Sequence, residues 1–312
     1  MSVHPSKRRS WTTAVFAALV IALLAGSIAV LDRVQATRAE VTLEEVLYLP
    51  SPQAVKRLSL GYNGLMADIY WTRVVQYFGG HHHAHDSRYK LLSPLLDITT
   101  TLDPQLVPAY EFGSVFLAQS PPEGAGDPHA AAALVERGIA QNPKAWRLYY
   151  HLGFIYWVEL HDPATASQCF YKGSQVEGAM PWMRVMAAAL AQHAGQAETA
   201  QYLWENILQS AEDPFLRANA ERRLLALRVD AEVRTLQAHV DKYTAAVHHV
   251  PAGWNEMGLA GWIRRLPVDP LGYPYQLREG RVQVSRPDLL PFITQGRAPG
   301  QQARDLPQLP AR

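Results

Sequence analysis

The sequence predicts an all-α fold, with one N-terminal transmembrane helix, then a solenoid of helical hairpins, and a small β-hairpin near the C-terminus. Three observations predict it. An uncharged stretch of membrane length runs from Trp11 to Leu31, apolar residues recur at three- and four-residue spacing from Leu58 to Val250, and prolines punctuate that second region at long intervals. No run in the region alternates apolar and polar residues as a strand does, so the sequence favours a helical array.

The composition indicates a folded protein and argues against nucleic acid as the main ligand. Hydrophobic residues make up 48% of the chain and charged residues 18%, which is ordinary for a globular protein. Lys and Arg number 29 against 28 Asp and Glu, for a formal net charge of +1. A nucleic-acid-binding surface needs a basic excess, so we exclude that class of protein.

The apolar stretch at residues 11–31 is long enough to cross a membrane as a helix, because about 20 apolar residues span a hydrocarbon core of about 30 Å. Lys7, Arg8 and Arg9 precede the stretch, whereas the charges that follow it roughly cancel. The positive-inside rule therefore predicts a cytoplasmic N-terminus at residues 1–10 and a single span in the inner (cytoplasmic) membrane. The bulk of the chain is expected to be extracytoplasmic.

A cleaved signal peptide is the alternative, since small residues around Ser27 and Ala36 offer possible cleavage sites. The apolar run is longer than the about 7–15 residues of a signal-peptide core, which favours the membrane anchor. Both forms export the chain. The only cysteine, Cys169, can form no intramolecular disulfide and lies far from a lipoprotein-type position, so neither a disulfide framework nor a lipid anchor is indicated. It is predicted to be a core residue, because the apolar pattern of its helix explains it as packing.

Proline-containing dipeptides close helical pairs through the array at Asp103-Pro104, Asn142-Pro143, Met180-Pro181 and Asp213-Pro214. The clearest unit has an aromatic residue, a Leu-Gly pair and a Tyr in its first helix, and small and aromatic residues in its second. These residues are Tyr149, Leu152, Gly153, Tyr156, Ala166, Phe170 and Gly173. The pattern resembles the tetratricopeptide repeat (TPR), whose period is about 34 residues.

The TPR resemblance covers residues 58–214 in four units. The unit after the clearest one has Gly195 in its turn, an earlier unit around Gly113 has a longer turn, and the first unit, near Met66, is degenerate. The resemblance implies a right-handed superhelix in which the first helix of each hairpin lines a concave face. Small residues such as Gly153 are expected where two helices approach closely.

The flanking segments differ in composition from the array. Residues 32–57 are predicted to form a stalk, and residues 215–250 one or two charged helices that cap the array. Residues 251–296 are predicted to form a small segment with a β-hairpin, and residues 297–312, rich in Pro, Gln and Arg, a disordered tail.

Part of the C-terminal segment also resembles the closing segment of type II secretion pseudopilins. The resemblance lies in the Pro- and Gly-rich residues 266–275 and in the turn at Gly280-Arg281-Val282. It implies a pilus or secretion context. The N-terminus lacks the pseudopilin-type cleavage motif before its apolar stretch, so the chain is not expected to be a pilin.

No catalytic site stands out, so we expect neither an enzyme nor a cofactor. The chain has no G-x-S-x-G elbow, no HExxH and no glycine-rich loop after an apolar strand. One dense group of possible metal ligands contains His81, His82, His83, His85 and Asp86. It is predicted at the turn between the two helices of the first repeat, where a solvated polar loop is the simpler interpretation and metal binding the alternative.

The concave face is the predicted partner-binding groove. The TPR resemblance implies that it is lined by Trp71, Tyr110, Arg147, Tyr150, Phe154, Trp157 and Trp182, together with Asp68, Ser114, Gln192 and His193. The aromatic residues at 150, 154 and 157 recur at helical spacing and form a stripe on one face. The groove lacks the Lys and Asn residues of carboxylate-clamp TPR domains, so the expected ligand is a largely apolar segment of another protein. The alternative is that the stripe packs against the stalk or hairpin of its own chain.

These features predict a membrane-tethered TPR scaffold that mediates protein–protein interactions in the assembly of a bacterial cell-envelope complex. No small-molecule substrate is indicated. The alternatives are a component of a type IV pilus or type II secretion-like system, and a metal-binding protein that uses the histidine cluster.

Overall fold

The structure is a computed structural model that describes residues 20, 23, 26–30, 33, 49–84 and 88–300. Most of these residues are helical, and among them one two-stranded antiparallel sheet is found. The prediction of a helical fold with a small hairpin near the C-terminus is therefore confirmed.

The predicted transmembrane helix at residues 11–31 lies largely outside the described residues, and those of its residues that are described are helical. Within the described part of the chain, no helix combines the length and the apolar character needed to cross a bilayer. The chain divides into two compact units, Met1–Pro50 and Ser51–Arg312. All elements named below belong to the second unit.

The helices follow one another in the order α1 (Pro52–Leu58), α2 (Asn63–His83), α3 (Leu92–Leu102), α4 (Val107–Ala118), α5 (Pro128–Gln141), α6 (Trp146–Phe154), α7 (Pro163–Ser174), α8 (Trp182–His193), α9 (Ala197–Ser210), α10 (Pro214–Val247) and α11 (Trp254–Leu259). A π-helical turn, Ile155–Glu159, continues α6. Strands β1 (Gln276–Arg278) and β2 (Arg281–Gln283) follow α11. From α2 to α10 each helix packs against the next one along the chain.

Glycines allow neighbouring helices to approach more closely than any side chain would permit. An ideal Cβ built on Gly153 of α6 would lie 2.8 Å from the ring of Phe170 on α7. A Cβ built on Gly113 of α4 would lie 2.5 Å from the side chain of Leu96 on α3. Carbon atoms at such distances repel strongly, since their optimal separation is about 3.5–4.0 Å. The predicted close approach at Gly153 is therefore confirmed.

Aspartates cap the N-termini of α5, α7 and α10, each directly before a proline. Asp127, Asp162 and Asp213 accept a backbone N–H of the first turn through a side-chain oxygen, at 2.9, 3.0 and 2.8 Å. Proline suits the first helical position because it has no N–H to leave unsatisfied and its φ is already helical. These three Asp-Pro dipeptides therefore start helices, and Asp213-Pro214, predicted to close a helical pair, is the beginning of α10.

The predicted capping region forms one continuous helix, α10, against which the C-terminal segment folds. Val233 and Val240 of α10 share a buried core with Trp254 of α11 and with Leu277 and Val282 of the hairpin. Leu277 lies opposite Val282 in the antiparallel register. Both hairpin side chains therefore point to the same face of the sheet, which is the face that α10 covers.

The side-chain amide of Gln237 on α10 holds the hairpin backbone. Its Nε2 donates to the Gly280 carbonyl at 2.8 Å, and its Oε1 accepts the Val282 N–H at 2.9 Å. Gly280 has a φ of 74° and lies in the turn between β1 and β2, where a Cβ would meet Val250 at 2.7 Å. This position requires glycine for both reasons.

A two-stranded hairpin is common to many folds and does not by itself favour the pilus alternative.

The structure differs from the predicted boundaries in two places. Residues 52–57 of the predicted stalk belong to α1, which packs against α3 and buries Val55. The hydroxyl of Ser51 caps this helix by accepting the Ala54 N–H, a local signal that the stalk interpretation overlooked. The histidines at 81–83 form the last turn of α2 rather than a loop. From residue 301 onward the predicted tail lies outside the described residues.

Candidate functional site

Four of the predicted groove residues come together as one aromatic patch, which consists of Tyr150, Phe154, Trp157 and Trp182. The ring centroids are 4.7 Å apart for Tyr150 and Phe154, 5.5 Å for Phe154 and Trp157, and 5.5 Å for Tyr150 and Trp182. Aromatic rings attract one another at these separations beyond the effect of area burial. The patch is therefore a connected surface that runs from α6 and its π-helical turn to the start of α8.

Phe170 of α7 forms the floor of the aromatic patch. Its ring is fully buried and meets Phe154 edge-to-face at 5.3 Å and Trp182 at 6.2 Å. Trp182 is 38% exposed, and the other members of the patch are partly buried. Tyr150, Phe154 and Trp157 pack against the core of α7, α8 and α9 on one side and keep contact with solvent on the other.

The π-helical turn Ile155–Glu159 determines where Trp157 points. The Leu160 N–H donates at 3.0 Å to the carbonyl of Ile155, five residues earlier, instead of four as in an α-helix. The backbone from Phe154 to Trp157 therefore turns about the helix axis by less than it would in a regular α-helix. Single π-helical turns occur frequently at functional sites, because they redirect a side chain without ending the helix.

Arg147 and His151 belong to the same helix as Tyr150 and Phe154, and Glu111 of α4 lies near Arg147. Burial raises the pKa of the Glu111 carboxyl, and the charge of nearby Arg147 partly offsets this shift. Burial lowers the pKa of His151, and Arg147 lowers it further, so the imidazole is neutral at pH 7. The His151 ring meets Tyr150 edge-to-face at 5.2 Å. The site thus combines aromatic surface with a cation, a carboxyl group and a neutral imidazole.

From the sequence alone, His151 is an isolated histidine to which no role is assigned, and Glu111 is unremarkable in its own helix. Glu111 belongs to α4 and His151 to α6, and these two helices contact each other although α5 lies between them in the chain. The adjacent position of His151 and Tyr150 was the only local signal. The proximity of Glu111 to Arg147 appears only in the tertiary structure.

Tyr110, predicted to line the groove, is 2% exposed and is a core residue, so this prediction is wrong. A Cβ built on Gly138 would meet its ring at 2.8 Å. The side chain of Tyr149 lies against Gly173 in the same way, so Tyr110 corresponds to Tyr149 and not to Tyr150. An offset of one residue turns a side chain by about 100° around the helix axis, which moves it from the surface to the core.

Other predicted groove residues also lie outside the aromatic patch. Trp71 stacks on Phe116 at 6.4 Å, and Phe116 stacks on Phe78 at 3.9 Å, in a separate cluster of α2 and α4. Ser114 and Gln192 are buried, which excludes both from a surface groove. Asp68, Arg147 and His193 are exposed as predicted.

The histidine cluster packs on aromatic rings as far as it is described. His81 lies 4.1 Å from the Tyr77 ring, and its Nδ1 is 2.9 Å from the Tyr77 carbonyl oxygen, whereas His82 stacks on Phe78 at 5.7 Å. No group of three His, Cys, Asp or Glu side chains that could hold a metal ion is found among the described residues. His85 and Asp86 lie outside those residues.

Cys169 is buried in α7, which confirms that it is a core residue. Burial raises the pKa of its thiol to about 11. The thiol is therefore protonated at neutral pH, and a protonated, buried thiol is a poor nucleophile. This agrees with the interpretation of Cys169 as a packing residue.

Comparisons of the chain with models of known protein families, with curated proteins and with solved structures find no significant match. The fold and the site therefore define only a structural class. Within the described residues it is a mostly helical array of sequentially packed helices, followed by a small antiparallel hairpin, and the aromatic patch lies on α6, its π-helical turn and α8.

Proposed function

We propose that the chain is a membrane-tethered scaffold of the TPR type that binds an apolar segment of another cell-envelope protein through the aromatic patch. The aromatic patch is the observation that carries this proposal. Its four rings are connected to one another, rest on a buried floor and keep part of their surface in solvent. Aromatic residues of this kind are the commonest binding anchors in protein interfaces.

Two features of the helix packing support the TPR type. The first is that α4 and α6, separated in the chain by α5, contact each other, as the first helices of stacked hairpins do. The second is a repeated hydrogen bond, in which the Tyr110 and Tyr149 hydroxyls donate at 3.2 and 3.3 Å to the carbonyls of Pro104 and Pro143. In both cases the acceptor lies six residues before the tyrosine, so successive hairpins begin in the same way.

The polar groups beside the patch define the ligand further. Arg147 would pair with a carboxylate, and neutral His151 can both donate and accept a hydrogen bond. We therefore expect the partner to present two or more apolar side chains to the rings and one acidic or amide side chain to Arg147. The rings supply affinity, and the polar groups fix the register of the segment.

We expect Trp157→Ala combined with Trp182→Ala to abolish partner binding and to leave the fold intact. Trp157 lies at the edge of the patch, and Trp182 is its most exposed member, although its ring also meets Phe170 at 6.2 Å. Truncating one aromatic anchor commonly costs about 2 kcal/mol or more, which is about thirtyfold in affinity. Chemical crosslinking in intact cells, followed by co-purification and quantification of the crosslinked protein, measures the loss.

The matched control is Tyr202→Ala, which removes an exposed aromatic ring of α9 outside the patch and should change neither crosslinking nor melting temperature. Unfolding of the double variant would show that the patch belongs to the chain's own core. A folded double variant that keeps every crosslinked partner would place the binding surface elsewhere.

The tether is tested separately by topology. Because Lys7, Arg8 and Arg9 precede the apolar residues 11–31, a reporter fused after Arg312 should be active only in an extracytoplasmic compartment. Activity in the cytoplasm would contradict the proposed orientation. Extraction of the full-length chain should need detergent, and a soluble mature form beginning after a cleavage site would establish the signal-peptide alternative.

A further inference from the structure

The connection between α1 and α2 exposes apolar side chains that the helix packing leaves uncovered. Leu58, Leu60 and Tyr62 are 76%, 86% and 70% exposed, and Leu65 and Ile69 in the first turns of α2 are 60% and 42% exposed. Exposed apolar residues that occur singly need no explanation, but a contiguous group of this kind marks an interaction site. We call these five residues the apolar tip.

The apolar tip has a defined conformation. The Ser59 N–H donates to the Val55 carbonyl at 2.9 Å, and the Tyr62 N–H donates to the Ser59 carbonyl at 2.8 Å. The Ser59 side chain is buried, donates to the Lys56 carbonyl at 2.7 Å and contacts the amide oxygen of Asn63. The leucines beside Ser59 are therefore held outward by a bonded turn.

Leu60 is unfavourable for the folded chain by itself. Its φ of 49° lies in the left-handed region, which is uncommon for residues other than glycine and asparagine, and its side chain is almost fully in solvent. Asparagine or glycine would suit both the backbone and the solvent better. A leucine in such a position is explained when something outside this part of the chain covers it.

The shape and charge of the tip indicate what covers it. The face of α2 that carries Leu65 and Ile69 becomes polar one turn later, at Thr72 and Arg73, so the apolar surface is confined to the end of the helix. A groove for a partner helix would instead continue along the axis. Residues 51–76 contain three basic residues and one acidic one, listed as Lys56, Arg57, Arg73 and Asp68.

We propose that the apolar tip inserts into the interface of an anionic lipid bilayer. Leucine side chains enter the boundary of the acyl chains, tyrosine is favoured at the level of the headgroups, and nearby Lys and Arg are attracted by anionic lipids. The inference rests on the proposed membrane tether. Only 26 residues, 32–57, separate the predicted span from Leu58 along the chain.

The test uses the full chain in vesicles of phosphatidylcholine and phosphatidylglycerol. A fluorophore is attached to Leu60→Cys, and the native Cys169 does not compete for label because it is buried and protonated. Lipids that carry a spin label near the headgroup should quench this fluorophore several-fold more than one attached to Leu259→Cys, an equally exposed leucine of α11. Replacing phosphatidylglycerol with phosphatidylcholine should weaken the quenching.

Equal quenching at positions 60 and 259, or none at position 60, would overturn the proposal. Efficient crosslinking between two copies through Leu60→Cys would overturn it too, by showing that a second copy covers the tip. Flotation of the vesicles after a carbonate wash separates this inference from the tether. If the chain floats with the vesicles but the fluorophore at position 60 is not quenched, the membrane tether is supported and insertion of the apolar tip is contradicted. If the chain does not float, the tether itself is contradicted.

Leu60→Asn gives a second measurement that does not depend on labelling at the same position. It should keep or raise the melting temperature of the full chain, because asparagine tolerates the left-handed backbone. It should also reduce the quenching of a fluorophore at Leu58→Cys. A lowered melting temperature would show that Leu60 serves the fold, which would contradict the proposal.

Discussion

Replacing Gly153 with leucine is expected to destabilise the protein by about 3 kcal/mol or more, and Gly153→Ala by about 1–3 kcal/mol. The first added carbon already lies 2.8 Å from the Phe170 ring. That ring cannot move away freely, because it is fully buried and in contact with Phe154 and Trp182 of the aromatic patch. Urea unfolding, followed by the helical signal, measures the change in the free energy of unfolding.

The matched control is Gly79→Ala, which makes the same chemical change in a helix where nothing lies within 4 Å of the new carbon. The free energy of unfolding of this variant should rise by about 0.5–1 kcal/mol, because alanine loses less conformational entropy than glycine when a helix forms. The two substitutions are thus expected to differ in sign. A Gly153→Ala variant as stable as the unsubstituted chain would show that the two helices do not meet at this glycine.

Replacing Asp230 with alanine is expected to cost about 3 kcal/mol, because it removes the acceptor that holds the C-terminal segment on α10. The Asp230 carboxylate accepts the Thr294 N–H at 2.9 Å, the Thr294 hydroxyl at 2.8 Å and the Gln295 N–H at 2.9 Å. Each buried donor left without a partner costs about 1–3 kcal/mol, less where water can enter. Urea unfolding gives the total, and amide hydrogen exchange of residues 290–297 should show local loosening.

Asp230→Asn is the control that also tests the pH dependence. The asparagine amide oxygen can still accept hydrogen bonds from the two N–H groups, so Asp230→Asn should lower the free energy of unfolding less than Asp230→Ala does. Burial raises the pKa of Asp230, and the three hydrogen bonds only partly oppose this shift. For an acid with a raised folded-state pKa, the stabilisation is full below the unfolded value of about 3.9 and is lost as the pH rises through the folded pKa.

The stability advantage of the unsubstituted chain over Asp230→Asn should therefore shrink as the pH rises from about 4. Comparing the two chains at each pH isolates the effect of Asp230, because groups whose contribution to stability changes with pH in the opposite direction are present in both. Glu256 is one of them, since hydrogen bonds from the Ala252 N–H, Tyr243 and His249 lower its pKa to about 2. An advantage that grows with pH would contradict the cause assigned to Asp230.

Local patterns in the sequence were sufficient where the physical cause is itself local. Apolar residues at three- and four-residue spacing predicted helices because one face of each helix must be buried. Glycine in a Leu-Gly pair predicted a close helix contact at Gly153, and Pro- and Gly-rich residues predicted the hairpin near Gly280. The uncharged thiol of Cys169, within an apolar pattern, was predicted to be core. All four predictions are confirmed by the structure.

The sequence by itself thus determined that the chain forms an array of helices with a C-terminal hairpin, and which of its glycines must lie between helices. Only the tertiary structure decided which aromatic residues share a surface. Tyr110 lies in the core because it corresponds to Tyr149 and not to Tyr150, an offset of one residue, and a π-helical turn positions Trp157. The docking of residues 294–295 on Asp230, 64 and 65 positions earlier, has no local signal at all. Spacing in a sequence fixes angles within one helix, whereas contacts between distant segments depend on how the helices are packed.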